Sequence, residues 1–457
     1  MQPAGRVAAL IIALVAAGVG RAAGSTLTLA DAVSQALREG ADAKIARLET
    51  EQADADAGKA RSIYWPQAEI TSNAGWSNRQ NDTIDTISGD NCPDNPNACL
   101  HKRYPLSALG SNASWLSVYI DQVLVDLSRW HGVERNELER EAAGVQEAQQ
   151  REAISFAITQ QYLTVLRMQR LAAIDAQRVS DAEWLDRQAA TLLEAGRALS
   201  SDRDQAALAL EEARAEAAAH TLELEDARLA LWQAIGGALG DEDELELVPD
   251  SVPASVAASD PASDEVLRAM PELRILDLRR RMEEATLAAA RAERYPTLSM
   301  RGGYFHYGTK RFDAFESEVA VGVDLHIPVF NGFRTSSAIA SASDALEAAR
   351  LRYDSVRQSK RAKLRELARR LAASQQQPQL AERRARLAAE RRRLADLALQ
   401  GQRGSVAEAL AARAEAERTG RAAIDAQFDR VMLWATFERE AGGLTTALVG
   451  EQVDATP

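Results

Sequence analysis

The sequence predicts an α+β membrane protein built from one unit written twice: a helix, a β-hairpin and a long helical hairpin in each copy. Three observations predict it. Short motifs recur in the same order in both halves of the chain. Two stretches in each half alternate apolar and polar residues with a period of two. Apolar residues three or four positions apart persist for about 65 residues, or roughly 100 Å of helix. No compact domain contains such rods.

Composition sets the limits. The 457 residues are 46% hydrophobic, 26% charged and only 5% aromatic, a core-forming mixture that favours helix. Length alone would suggest about three domains. The formal charge is −13, which argues against nucleic acid as a partner. Two cysteines exclude a disulfide-stapled scaffold and a four-cysteine zinc site.

Residues 1–23 read as a secretory signal. Arg6 precedes the apolar run from Val7 to Val19, and Arg21, Ala22, Ala23, Gly24 and Ser25 supply small residues for cleavage after Ala23 or Gly24. The run is short for a membrane span, so an uncleaved anchor is the weaker reading. No cysteine follows that would carry a lipid anchor. Removal leaves a charge of −15. No other stretch approaches 18 consecutive apolar residues, so any membrane span must be built from strands.

The duplication fixes the order of elements. Pro66 in Tyr64-Trp65-Pro66 matches Pro296 after Tyr295, and Val123 to Asp126 matches Pro328 to Asn331. Gly196 matches Gly401, and Gly236-Gly237 matches Gly442-Gly443. From Val123 onward the offset stays at 205 or 206 residues, and the earlier match is longer because one loop is longer. The first repeat, 24–240, then contains a helix at 30–64, strands at 67–78 and 113–125, and a helical hairpin at 127–235 that turns between 194 and 201. A loop-like linker covers 241–263. The second repeat, 264–443, has its helix from about 262 to 295, strands at 297–308 and 316–328, and a hairpin at 334–441, with 444–457 as a tail. Pro378 should interrupt the second long helix. Arg383-Arg384 and Arg391-Arg392-Arg393 read as a solvated helix face.

In 319–327, Val319, Val321, Val323, Leu325 and Ile327 share one face, and Ala320, Gly322, Asp324 and His326 the other. Leu116, Val118 and Ile120 likewise oppose Ser117, Tyr119 and Asp121. Tyr64, Trp65, Trp76, Trp115, Tyr119, Tyr304, Phe305, Tyr307, Phe312 and Phe315 cluster near these strands. Alternation with flanking aromatics is the pattern of a membrane barrel, the alternative being a soluble sheet with one wet face. Four strands cannot close a barrel and open edges do not persist in lipid, so two, three or four copies must share one.

At this point the chain resembles the TolC-type outer-membrane efflux proteins. Leu27-Thr-Leu-Ala-Asp-Ala-Val-Ser-Gln-Ala-Leu37 resembles that family's first helix, as does Pro271-Glu-Leu273 in the second half. Tyr64-Trp-Pro66 and Tyr295-Pro296 resemble its helix-to-strand junctions, and Ile327-Pro-Val-Phe-Asn-Gly332 the exit from its last strand. The resemblance implies a homotrimer, with twelve strands in one outer-membrane barrel and a periplasmic α-helical coiled-coil tunnel. It implies a passive duct that docks onto a periplasmic adaptor served by an inner-membrane pump of the resistance-nodulation-division or ABC type.

The tips, Ala195 to Ser200 and Gln400 to Ser405, carry the candidate site. Gly196, Gly401 and Gly404 permit tight turns, and Ser201 and Ser405 are candidate helix caps. Leu199, Ser200 and Ser405 complete the candidate docking surface. By resemblance, Asp202 helps hold a closed gate, Arg403 is its basic partner and Glu408 lines the constriction. Ala411 replaces a second expected acid, and the second tip has one extra residue, which leaves Glu408 as a single acidic ring. Cys92 and Cys99, in a loop at about 79–112, are either a small disulfide or two free thiols.

The five histidines are scattered, without metal spacing, and there is no phosphate loop or nucleophile elbow. No cofactor, metal or enzymatic activity is expected. The leading expectation is export of small toxic compounds. Secretion of proteins through the same type of duct is the alternative within transport, and a periplasmic structural coiled-coil protein the alternative outside it.

Overall fold

The computed structural model describes residues 27–76, 83–86, 102–105, 112–237, 261–309, 314–401 and 403–450. The signal segment, most of the linker, both cysteines and the last seven residues lie outside them. The described residues form two compact units. One comprises 47–147 and 271–358, and the other comprises the described parts of 1–46, 148–270 and 359–457.

Helix α1 (Leu29–Glu39) and helix α2 (Ala41–Arg61) replace the single helix expected at 30–64. The break is at Gly40, where a Cβ would sit 2.4 Å from the carbonyl oxygen of Ala36. Thr28 caps α1 through its hydroxyl, which accepts from the Asp31 amide at 3.2 Å. Leu29, Ala32, Val33, Ala36 and Leu37 form one buried stripe, the spacing of a helix with a single apolar face.

Strand β1 (Gln67–Trp76) is followed by a two-stranded ribbon, β2 (Thr83–Thr86) with β3 (Lys102–Pro105). This ribbon corrects the reading of 79–112 as plain loop: four-residue strands flanked by Asn, Asp and Pro give too little alternation to be seen. Strand β4 (Asn112–Val125) leads into helix α3 (Leu127–Glu194), a continuous 68-residue helix. After a turn comes α4 (Ser200–Ala234). The second half opens with α5 (Asp264–Ala269) and α6 (Pro271–Ala292), not one helix at 262–295. Met270, extended before Pro271, separates them, as steric conflict with a following proline requires. Strands β5 (Thr297–Thr309) and β6 (Ala314–His326) follow. The second long helix is interrupted at Gln375 and Gln376, giving α7 (Arg334–Ser374) and α8 (Gln377–Gln400), with Pro378 in the first turn of α8, where its missing N–H costs nothing. Helix α9 (Val406–Ala441) returns. The expected tail begins with a short helix, α10 (Leu444–Val449).

In the first-described unit, β1, β4, β5 and β6 form one antiparallel sheet in the order β1-β4-β5-β6. Its helices pack by small layers: Leu138, Ala142 and Val145 of α3 on Ile275 and Leu278 of α6, then Leu287 and Ala290 of α6 on Ala342 and Leu346 of α7.

The other unit has its main core where α1 meets Ile158, Tyr162 and Val165 of α3, Leu231 and Trp232 of α4, and Phe428 of α9. The buried Tyr162 hydroxyl donates to the Leu27 carbonyl at 2.9 Å. Helix α10 is tied in by Glu152, whose carboxylate accepts from the amides of Leu444 at 3.0 Å and Thr445 at 3.1 Å. Leu444 is fully buried with Leu371 and Trp434. Burial raises the Glu152 carboxyl above the ordinary range, against its hydrogen bonds. Burial also raises Glu438, and the nearby Glu152 charge adds to that.

Both acids therefore bind protons more tightly in the fold than in the open chain. Their contribution to stability is full below pH of about 4.5 and is lost as pH rises through the raised values. Glu438→Gln removes one of the two and should make the thermal midpoint less sensitive to pH between 4 and 8, measured by circular dichroism in detergent. A slope equal to the parent's would exclude this linkage.

Candidate functional site

The strand register sorts the sheet into two faces. Ile70 pairs with Val118, Val118 with Tyr304, and Tyr304 with Val319. The same face carries Leu116, Ile120, Met300, Leu298, Val321, Val323 and Leu325. Its aliphatic side chains stand open: Val319 and Val321 are each 73% exposed. Burying a side chain of this size is worth about 1.5–3 kcal/mol, so an apolar surrounding for the whole face is worth on the order of 10 kcal/mol per chain.

The opposite face carries Thr71, Ser117, Asp121, Arg301, Glu318, Asp324 and His326. Arg301 donates to Asp121 across the strands at 2.5 Å. Tyr119 and Phe305 also lie on this face, edge to face at 5.3 Å, with the Phe305 ring over Gly303. Expected among the flanking aromatics, they instead cover a glycine that has no side chain to pack. The side chains of Trp76, Trp115, Tyr307 and Phe315, and all of Phe312, lie outside the described set.

Aromatic residues mark the helix-proximal ends of the strands, and the sequence motifs do not single out Trp130 and Phe333 among them. Tyr64 and Trp65 precede β1, Trp130 follows β4, Tyr295 precedes β5, and Phe330 and Phe333 follow β6. Phe330 and Phe333 meet edge to face at 5.5 Å, both largely exposed. Gly332 and Phe333 are consecutive residues with positive φ, 63° and 67°. For a phenylalanine that conformation costs on the order of 1–3 kcal/mol. It is held by Asn331, which donates to the Thr335 hydroxyl at 2.6 Å, and by Thr335, which donates to Glu293 at 3.2 Å.

The two tips of the helical hairpins are built differently. At the first, Gly196 has a φ of 71°, and the Arg197 amide donates back to the Leu192 carbonyl at 2.8 Å. At the second, Gly401 has an ordinary φ of −75°; there the Arg403 and Gly404 amides both donate to the Ala398 carbonyl. Gly404 sits close to the preceding turn: a Cβ would lie 3.2 Å from the Ala398 side chain and the Leu399 amide nitrogen, so a larger residue would push its neighbours by a few tenths of an ångström.

Asp202 and Glu408 occupy the same structural position in the two halves. The Leu199 amide donates to Asp202 at 3.1 Å. The Ser405 amide donates to Glu408 at 3.1 Å, and the Glu408 amide donates to the Ser405 hydroxyl at 3.2 Å, a complete capping box. Ser201 lies inside the first turn of α4, so Leu199 is the cap residue there and Asp202 supplies the only half of the box that exists. Among the described residues no bond joins Asp202 to Arg403 within one chain. Leu199 is exposed and Ser200 begins α4. Beneath the tips, Leu185, Ala189, Ala206, Leu399, Val406 and Ala409 form a small core.

Above that core runs an ionic layer the sequence reading missed. Buried Asp175 of α3 binds His220 of α4 at 2.8 Å and Arg421 of α9. Arg178 binds Glu216 and, at 3.2 Å, Glu417. Asp181 binds Arg392 of α8, so Arg392 departs from the solvated face expected for it. Arg413 pairs with Asp396 at 2.9 Å and covers the Trp184 ring at 4.7 Å. The only sequence signal was the spacing of 413, 417 and 421, three charged residues one helical turn apart.

Comparison with known proteins follows the same outline. Residues 262–443 match the family of outer membrane efflux proteins. The match covers the second half of the chain. No curated protein matches by sequence. The fold of the whole chain is that of solved outer-membrane channels. The outer membrane protein VceC from Vibrio cholerae is 15% identical, with a TM-score of 0.72 over 91% of this chain and 96% of that one. The CmeC outer membrane channel of Campylobacter jejuni is 15% identical, with a TM-score of 0.75 over 97% and 94%. The MtrE channel of Neisseria gonorrhoeae, in its open state, is 18% identical, with a TM-score of 0.68 over 91% and 89%. The shared fold also covers the first half, which lies outside the sequence match.

The Ser405→Ala variant should lose about 1 kcal/mol of cap energy at the second tip. Limited proteolysis near Gly401 to Gly404 should then quicken about fivefold, while cleavage at the first tip stays unchanged. Equal rates in variant and parent would mean that the cap does not hold this turn.

Proposed function

We propose that the protein is the passive outer-membrane exit duct of a tripartite export system, carrying small toxic compounds outward from an inner-membrane pump. One observation carries the reading. The four-stranded sheet has one exposed aliphatic face, and the outer edges of β1 and β6 have no partner strand among the described residues. Lipid suits that face but not those edges, because each unpaired amide or carbonyl there costs several kcal/mol.

Pairing β6 of one copy with β1 of the next removes both edges. Three copies give a barrel of about twelve strands, within the range of membrane barrels. The aliphatic face turns to lipid, and Asp121, Arg301, Asp324 and His326 line the bore. The exposed aromatics at the helix-proximal ends suit the headgroup level. The second-half match to outer membrane efflux proteins supports the location and the role. The proteins that share the fold are channels, and nothing in the reading assigns a catalytic step or a cofactor.

In this reading the helical tips face the periplasm and meet the adaptor. Gly196, Leu199, Ser200, Gly401, Gly404 and Ser405 form the docking turns. Asp202 of one hairpin pairs with Arg403 of its neighbour, and Glu408, repeated around the axis, forms one acidic ring. Each capping carboxylate has a second oxygen for that purpose. An exposed pair is worth only about 0–1 kcal/mol, but the threefold repeat multiplies it. The pump is of the resistance-nodulation-division or ABC type. Cys92 and Cys99 close a small disulfide in an oxidising compartment.

The mass of detergent-extracted protein, corrected for bound detergent, should be that of three chains, recovered from the outer-membrane fraction. A monomer in the soluble fraction would refute the shared barrel. In planar bilayers, Arg403→Ala should raise conductance above the closed level of the parent; an unchanged level would remove the latch. Under denaturing, non-reducing conditions no free thiol should titrate, and two would reject the disulfide.

A further inference from the structure

Each junction between a strand of the four-stranded sheet and a helix sets an arginine close in sequence to an aromatic. Arg61 precedes Tyr64 and Trp65, Arg129 precedes Trp130, Arg294 precedes Tyr295, and Arg334 follows Phe333. At the first two the arginine is spent on an acid of its own chain. Arg61 pairs with Glu137, and Arg129 with Asp126 at 3.3 Å. Arg294 and Arg334 are exposed and join no ion pair among the described residues.

The fold brings these two together. Helices α6 and α7 pack through Leu287, Ala290, Ala342 and Leu346, with Ala338 against them. Arg294 lies one turn beyond Ala290, and Arg334 one turn before Ala338, so both stand at the same end of that packing. There the bond from buried Thr335 to Glu293 joins the residue after Arg334 to the residue before Arg294. It also engages Glu293, the acid next to them in sequence.

Beside the arginines stands an unexplained cost. Phe333 keeps its positive φ although it is 71% exposed, and its one ring contact among the described residues is Phe330, itself 75% exposed. Strain retained for so little packing within the chain points to a partner outside it. The open stripe of β6 leads into this ring pair: Val319, Val321, Val323 and Leu325 continue through exposed Ile327 and Val329. The 13 residues of β6 span roughly 44 Å, or about 34 Å of depth at a tilt of about 40°, against about 30 Å of hydrocarbon. The residues just past its end therefore fall at headgroup level on the helical side.

We propose that the junction of β6 and α7 binds a phospholipid of net negative headgroup. Arg294 and Arg334 hold the phosphate, the Phe330–Phe333 pair wedges beneath it, and an acyl chain follows the stripe on β6. Guanidinium suits phosphate because its donors form a planar fork. A zwitterionic headgroup would bring an ammonium beside two guanidiniums, which favours the anionic lipid. A free phosphate would use the arginines and leave the rings and the stripe uncovered. The inference rests on the reading of a barrel in lipid, and gives that barrel a seat for one class of headgroup.

The test is a lipid titration of the delipidated protein in neutral detergent, read by native mass spectrometry. Phosphatidylglycerol should be retained, and phosphatidylethanolamine should bind about tenfold more weakly. Excess inorganic phosphate should not displace the lipid. Arg294→Gln with Arg334→Gln should weaken phosphatidylglycerol about tenfold. Phe333→Gly removes both the strain and the ring, so it should weaken lipid retention while the thermal midpoint falls no lower than the parent's. A role confined to holding the turn would not separate the two readings in that way. With the protein still a trimer from the outer-membrane fraction, three results overturn the seat alone: equal retention of both lipids, full displacement by inorganic phosphate, or retention unmoved by the arginine changes. A monomer in the soluble fraction overturns the barrel and the seat together. Where Phe333→Gly fails to fold, the arginine pair decides alone.

Discussion

A backbone amide at the edge of a sheet has no water to bond inside lipid, and this sheet leaves two such edges beside an open aliphatic face. That constraint organises what surrounds it. The chain supplies strands that suit the interior of a membrane but too few to close on themselves. In the proposed duct closure comes from other copies, and every further feature, from bore lining to tip ring, takes its repeat from that closure. Helices could not take the same part: among the described residues none is long and apolar enough to cross a membrane.

The helical unit meets a different constraint. Its rods are rich in alanine and charged residues, so they bury little area per turn and gain little from any one layer. The ionic layer around Asp175, Arg178, Asp181, Arg413 and Arg421 ties three or four helices where the apolar layers are thin. Buried charges of this kind add little net stability, but removing one partner leaves another uncompensated. They fix which helix lies beside which. At both tips an acid three residues past the cap does similar work locally, closing the last free amide of the turn. The two halves reach the same capped helix through different turns, one by a left-handed glycine and one by a glycine in close contact with the preceding turn.

Much of the fold was legible in the sequence. Alternation in 319–327 and 115–122 fixed strand faces because a period of two leaves no other assignment, and the duplicated prolines and glycines ordered the elements. What escaped notice did so for physical reasons. The Gly40 break depends on an approach to the Ala36 carbonyl that no local pattern records. The β2–β3 ribbon is too short to show a period. Helix α10 exists because Glu152, nearly 300 residues earlier in the chain, accepts its first amides. At the tips, Asp202 and Glu408 were visible as residues, but their capping bonds were legible only for Ser405 and Glu408, whose spacing spells a capping box. Leu199, with no side-chain acceptor, hides the equivalent arrangement. Arg392 looked solvated because its neighbours are; its partner lies on another helix.

Four strands in simple antiparallel order begin and end pointing opposite ways. This parity means that the last strand of any copy always meets the first strand of the next in the antiparallel sense, whatever the number of copies. A single inserted strand would break it, forcing a parallel seam that the rest of the sheet does not share. The circumference of such a barrel therefore changes only in whole hairpins or whole chains. Width is quantised by topology, and side chains on the inner face are left to adjust what passes in finer steps.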